Sequence, residues 1–133
     1  MTIHRMSDPD FWTTDPPELR EIQKLAKRGG LDVRHFIMGD PTSDTTPTAA
    51  VLNMPPGYVL QRHAHPCERF EVIVSGSLDV GGGEVLVPGD VMQAPYGQFY
   101  GPHIAGPAGC ITVEFFSSIR ANGNVFYEED TGI

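Results

Sequence analysis

The chain predicts an all-β fold, a closed barrel or a sandwich of short strands, with one short helix ahead of it. Three observations carry this. Fifteen glycines and twelve prolines are spread through 133 residues, many of them between short apolar runs, which is the punctuation of closely spaced turns. From residue 31 onward the apolar pattern has period two, the repeat of a strand with one buried face. Only one segment, ahead of residue 31, has apolar residues at helical spacing. The length suits one domain with a real core, organised as a tail and helix over 1–30 and a barrel over 31–133.

The elements follow in order. Phe11 and Trp12 are large apolar groups in a polar tail and read as anchors packed on the barrel or on a neighbouring subunit. Asp15-Pro16-Pro17-Glu18 offers an N-cap, prolines for the first helical turn and a glutamate three residues after the cap. Leu19, Ile22, Leu25 and Ala26 then form an apolar stripe, and Gly29-Gly30 closes the helix. Asp32–Met38 alternates as a strand, and the polar stretch Gly39–Pro47 reads as a loop. Thr48–Met54, Tyr58–His63, Arg69–Val74, Ser77–Val80, Glu84–Val87, Val91–Ala94 and Ile111–Phe116 follow as short strands, with Gly81-Gly82-Gly83 as a hairpin turn. Asn124–Glu128 adds an edge strand.

Composition narrows the function classes. A net charge of −8 repels phosphate backbones and argues against a nucleic-acid partner. No apolar run approaches the ~20 residues that span a membrane. The amino terminus lacks the basic-then-apolar layout of a signal peptide, so the cytoplasm is expected. Two cysteines, Cys67 and Cys110, are too few for a disulfide framework and are expected as thiols.

The chemistry concentrates in Gly57–Gly76. His63 and His65 stand two apart at the end of an apolar run, so on a strand they share a face and converge as a metal ion requires. Glu68 and Glu71 follow closely.

This segment resembles the first cupin motif, which reads Gly, five residues, His-x-His, three or four residues, Glu, six residues, Gly; Gly57, His63, His65 and Gly76 fall in register. Gly89, Pro95 and Gly97 are similarly placed for the second motif, and the resemblance covers roughly residues 45–116. Two positions depart from the pattern. Arg69 stands at the family's glutamate position, and Tyr100 at its second-motif histidine position.

The resemblance implies a jelly-roll-like cupin barrel, commonly dimeric, holding one divalent metal with His63 and His65. Glu71 has the parity of Arg69 and is expected as third ligand, about 6–7 Å along the strand, or else as the partner of an inward Arg69. Glu68, of opposite parity, faces solvent. His103, brought inward by Gly101-Pro102, is expected as fourth ligand. Tyr100 is a poorer ligand, because a phenol with pKa near ~10 must lose its proton; it is expected to donate to substrate, with Arg69 neutralising a bound anion. Cys67 reads as an incidental turn cysteine, His35 as a satisfied core histidine, and His4 as part of a tail.

Imidazole and carboxylate donors suit Fe(II), Zn, Ni or Mn, and two histidines with one carboxylate favour Fe(II). The implied activity is that of a small dioxygenase acting on an anionic, enolisable or phenolic molecule. A Lewis-acid isomerase, cyclase or lyase and a non-catalytic binding cupin are the alternatives.

Overall fold

The structure, a computed structural model, describes residues 1–128; residues 129–133, the end of the segment expected to form the barrel, lie outside the described residues. Its strands are β1 Asp32–Ile37, β2 Thr48–Met54, β3 Val59–Leu60, β4 Arg69–Gly81, β5 Glu84–Leu86, β6 Val91–Ala94 and β7 His103–Phe116. All pairings are antiparallel, in the order β1-β2-β7-β4-β5, with β3 added to β7 and β6 to β4.

The two long strands, β4 and β7, serve both layers. The start of β4 pairs with β6 and its end with β5, while the end of β7 pairs with β2 and its start with β3. The bend between the layers falls where the β4–β7 register shifts, around Ser75 and Gly76. Gly76 has φ +74°, and a Cβ there would stand 2.0 Å from the Gly109 carbonyl oxygen. Both the backbone conformation and the close approach demand glycine. Gly76→Ala is expected to lower stability by at least ~2 kcal/mol in urea denaturation, through strain and a clash that only backbone movement relieves. A loss under ~0.5 kcal/mol would show that the bend relaxes freely.

The strands expected at Arg69–Val74 and Ser77–Val80 are therefore one strand, because a bulged glycine bends the ladder without ending it. The same reason extends β7 through Gly106–Gly109, well before the expected start at Ile111. The strand expected over Tyr58–His63 shrinks to Val59–Leu60. The Gln61 carbonyl, which would continue a ladder, is taken by the His63 ring instead. Asn124–Glu128 forms no regular strand; Phe126 makes an isolated bridge with Ala64.

Helix α1 spans Arg20–Arg28 after a 3-10 turn at Pro17–Leu19. Asp15 does not cap it. Its carboxylate accepts from the His35 backbone N–H at 2.7 Å and pairs with His35 Nδ1 at 2.6 Å, a buried demand stronger than an exposed cap. The expected apolar stripe is also broken, since Leu25 is 63% exposed. Gln23 turns inward in its place, and its amide nitrogen lies 3.0 Å from the Thr14 carbonyl and 2.9 Å from that of Val33. Gly30, at φ +90°, ends the helix with Leu31 N–H donating to the Ala26 carbonyl. Phe11 is buried, with Arg34 stacked over its ring.

The core between the layers is built from Leu31, Val33, Ala50, Leu52, Met54, Ile73, Leu78, Ala105 and Cys110. No helix of the described residues is long and apolar enough to cross a membrane.

Candidate functional site

His63 and His65 lie in the connection between β3 and β4, held by backbone bonds on three sides. His63 exchanges both main-chain hydrogen bonds with Tyr100, Ala64 does so with Phe126, and the His65 carbonyl accepts from Gly97. The two rings turn inward and their Nε2 atoms stand 3.2 Å apart. His63 Nδ1 donates to the Gln61 carbonyl at 2.6 Å, which leaves the Nε2 lone pair directed at the convergence point. Burial lowers the pKa of His63, helped by the Arg69 charge and opposed by the Gln61 carbonyl. Burial, then His63 and Arg69, lowers His65 to about 4, although the Ala121 and Asn124 backbones near it favour the proton. Both imidazoles are thus neutral at pH 7, the state a metal ligand needs.

Behind them sits a buried charge cluster. Arg69 Nη2 is 2.6 Å from Glu71 Oε1 and 3.1 Å from Glu114 Oε1. Thr112 donates to the other Glu71 oxygen at 2.7 Å. Against the cost of burial, Glu114 and Glu71 hold the arginine pKa above its ordinary range. Burial, then the facing Glu114, raises Glu71 to about 7 despite Arg69. Because that folded pKa exceeds the ordinary 4.5, the group's stability contribution is full below about 4.5 and is lost as pH rises through about 7. Glu71→Gln should therefore flatten the decline in unfolding free energy between pH 5 and pH 8, measured by urea titration. An unchanged slope would assign the decline to other groups.

Glu71 is inward, as its parity required, but both its oxygens have protein partners. Of the two places expected for Glu71, third ligand or partner of an inward Arg69, the structure shows the contact with Arg69. Glu68 is exposed. Tyr100 packs its ring 4.7 Å from that of His63, with Arg69 4.2 Å from its centroid, and its hydroxyl lies 3.2 Å from His63 Nε2. Burial, then Glu114, raises its pKa, so the phenol keeps its proton. His103 is buried but one ring removed, stacked on Tyr100 at 5.5 Å. Among the described residues no three His, Cys, Asp or Glu side chains gather as a metal-holding group, and the His103 ring, expected as fourth ligand, lies against Tyr100. Cys67 and Cys110 are free thiols, and burial raises the pKa of each.

A cavity of about 170 Å³ opens beside the histidine pair, with Leu31, Leu52, Leu60 and Phe116 among its apolar walls and His35, His63, His65, Glu114 and Asn122 as its polar side chains. Glu114 is the residue that sequence reasoning missed. Its signal was a lone carboxylate in the apolar strand Ile111–Phe116, on the parity of Thr112 and Phe116.

No family model matches the chain, and no curated protein matches it by sequence. Solved structures do match it in fold. An acetylacetone dioxygenase from Acinetobacter johnsonii superposes with a TM-score of 0.54 at 18% identity, over 65% of this chain and 59% of the other. Oxalate decarboxylase from Bacillus subtilis, studied for its Mn(II) centres, gives 0.59 at 17% identity, over 72% of this chain and 28% of the other. An RmlC-like cupin from Shewanella frigidimarina gives 0.55 at 24% identity, over 72% and 83%. The matched region thus spans less than two thirds of the two named enzymes. What the three share with this chain is its fold, a cupin-like jelly-roll barrel of antiparallel strands.

Proposed function

We propose that the protein is a metal-dependent cupin enzyme acting on a small enolisable or phenolic molecule, with dioxygen as co-substrate. The observation that carries this is the His63–His65 pair, with neutral rings, Nε2 atoms 3.2 Å apart and the His63 tautomer set by the Gln61 carbonyl. Two adjacent imidazole nitrogens bound to one ion at ~2.1 Å stand roughly 3.0–3.4 Å apart. A backbone carbonyl on the far ring nitrogen is the usual support of a metal-binding histidine. The pair fits a first-row divalent ion, and two imidazoles fill two of its positions, leaving others for substrate oxygens. Bound there, such an ion supplies Lewis acidity toward an enol or phenol oxygen and, if it is iron, redox chemistry with dioxygen.

The remaining residues define the guest. A dry cavity of ~150 Å³ accepts benzene, so the 170 Å³ here suits a molecule of about that size. The walls are apolar and Arg69 is already offset by two carboxylates, so the guest enters neutral and becomes anionic on losing a proton at the site. Tyr100 keeps its proton and serves as a donor beside His63. Acetylacetone, the substrate named for one neighbour, is enolisable and of this size.

Elemental analysis of protein purified without added metal, followed by oxygen uptake with acetylacetone and with phenol, tests the reading. It predicts one divalent ion per chain and metal-dependent consumption. A folded protein that binds no metal stoichiometrically would overturn it. Zinc with oxygen-independent turnover would redirect it to a Lewis-acid isomerase or lyase, and binding without turnover to a non-catalytic cupin.

A further inference from the structure

The cavity that receives the histidine pair has a second imidazole-bearing wall, contributed by the amino-terminal part of the chain. We propose that His35, oriented by Asp15, is the general base that removes a proton from the substrate held in this cavity; this rests on the reading of the site given above.

Register places His35 there. On the inner face His35 pairs with Ala50, and Ala50 pairs in turn with Glu114. The small Ala50 side chain leaves space between the two larger ones, and all three line the cavity with His63 and His65. Asp15 reaches His35 from the segment ahead of α1 and grips it twice, at the backbone N–H and at Nδ1. Both side chains are almost wholly buried. A carboxylate accepts only from a protonated Nδ1, so the lone pair of a neutral ring lies on Nε2.

That Nε2 has no protein partner among the described residues. It is also absent from the polar atoms sealed away unpartnered, which are Arg34 Nε, Arg69 Nε, His65 Nδ1 and His103 Nδ1. Since the ring lines the cavity and Nδ1 faces Asp15, Nε2 opens on the cavity. Glu114, the other basic group on the wall, is committed to Arg69. An imidazole backed by a buried carboxylate, with its free nitrogen facing a substrate-sized space, is the arrangement of a general base.

The step balances within the site. The C–H bond next to the substrate carbonyl breaks, its electron pair forms the enolate C=C bond as the C=O π pair moves onto the oxygen, and the proton passes to Nε2. Asp15 then faces the imidazolium and stabilises it, and the proton later returns to product or solvent. A phenol loses its O–H proton in the same way.

The test uses the metal-loaded full chain and acetylacetone deuterated at its central carbon, reading the protein-dependent loss of deuterium by NMR. His35→Gln should slow that exchange by about a hundredfold or more, with acetylacetone affinity changed less than about threefold. Retained exchange with the probe still bound would overturn the proposal. Nitrogen-15 NMR of the metal-free wild type decides the question even if the variant folds poorly. It should show His35 with Nδ1 protonated, Nε2 bare, and the Nε2 resonance moving at saturating acetylacetone; a protonated or unmoved Nε2 would overturn the proposal. Exchange that survives in the His63→Ala/His65→Ala variant would remove the metal reading and leave His35 standing.

Discussion

Replacing His63 and His65 together by alanine should lower divalent-metal affinity by about a thousandfold or more, equivalent to ~4 kcal/mol. Supporting residues behind a ligand alone carry about 10- to 100-fold, and here both imidazoles of the proposed site are removed. The fold should survive, because the segment is held by main-chain bonds from His63 to Tyr100, Ala64 to Phe126 and His65 to Gly97, none of which needs an imidazole. Titration calorimetry with Mn(II) or Zn(II), with circular dichroism to confirm folding, measures the outcome. Metal stoichiometry that persists in the folded variant would eliminate this pair as the metal site.

The second large effect belongs to Arg69. Arg69→Met should destabilise the protein by about 3–5 kcal/mol at pH 8, the usual cost of stranding buried partners when one member of an ion cluster is removed. Glu71 and Glu114 are cross-strand neighbours, and without the guanidinium they face each other with no cation between them. The sign of the pH dependence follows from Glu71. A carboxyl already raised by burial holds its proton more tightly still when its cation is lost, so its stability contribution is present at low pH and lost as pH rises. The penalty should therefore be smaller at pH 5 than at pH 8. Adding Glu71→Gln should recover part of it, since the added change removes one of the stranded charges. Urea titrations of Arg69→Met, of Glu71→Gln and of the double variant at both pH values measure this. A loss below ~1 kcal/mol that ignores pH would mean that the cluster is not the electrostatic unit drawn here.

Much of the scaffold was legible because its signals are local. Thr48–Met54 and Val91–Ala94 are strands with the bounds their alternation suggested, and Arg69 and Glu71 share the inner face as their parity required. The failures are equally physical. Glycine and proline mark a departure from regular backbone, but the departure can be a bend in a continuing strand, as at Gly76, as well as a terminus. A good N-cap residue is claimed by a stronger partner when tertiary structure offers one, and Asp15 belongs to His35. The helix stripe put Leu25 inward, but Leu25 is exposed, and Gln23 is buried because three carbonyls converge on its amide.

The site divides along the same line. By itself the sequence determined a barrel of short strands, the His63–His65 pair on one face, and a cation where a cupin carries a carboxylate, because each depends on spacing within a few residues. Only the tertiary structure decided that Glu71 would be engaged by Arg69 and Thr112, that Glu114 would complete the cluster, and that Tyr100 would meet His63. It also decided that His35, held by Asp15, would join the wall of the cavity. Those outcomes depend on which strands lie side by side and in what register. A carboxylate's role is set by the partner that reaches it first in the folded core, and here the partners come from elements up to forty-five positions away in the chain, as Arg69 and Glu114 are.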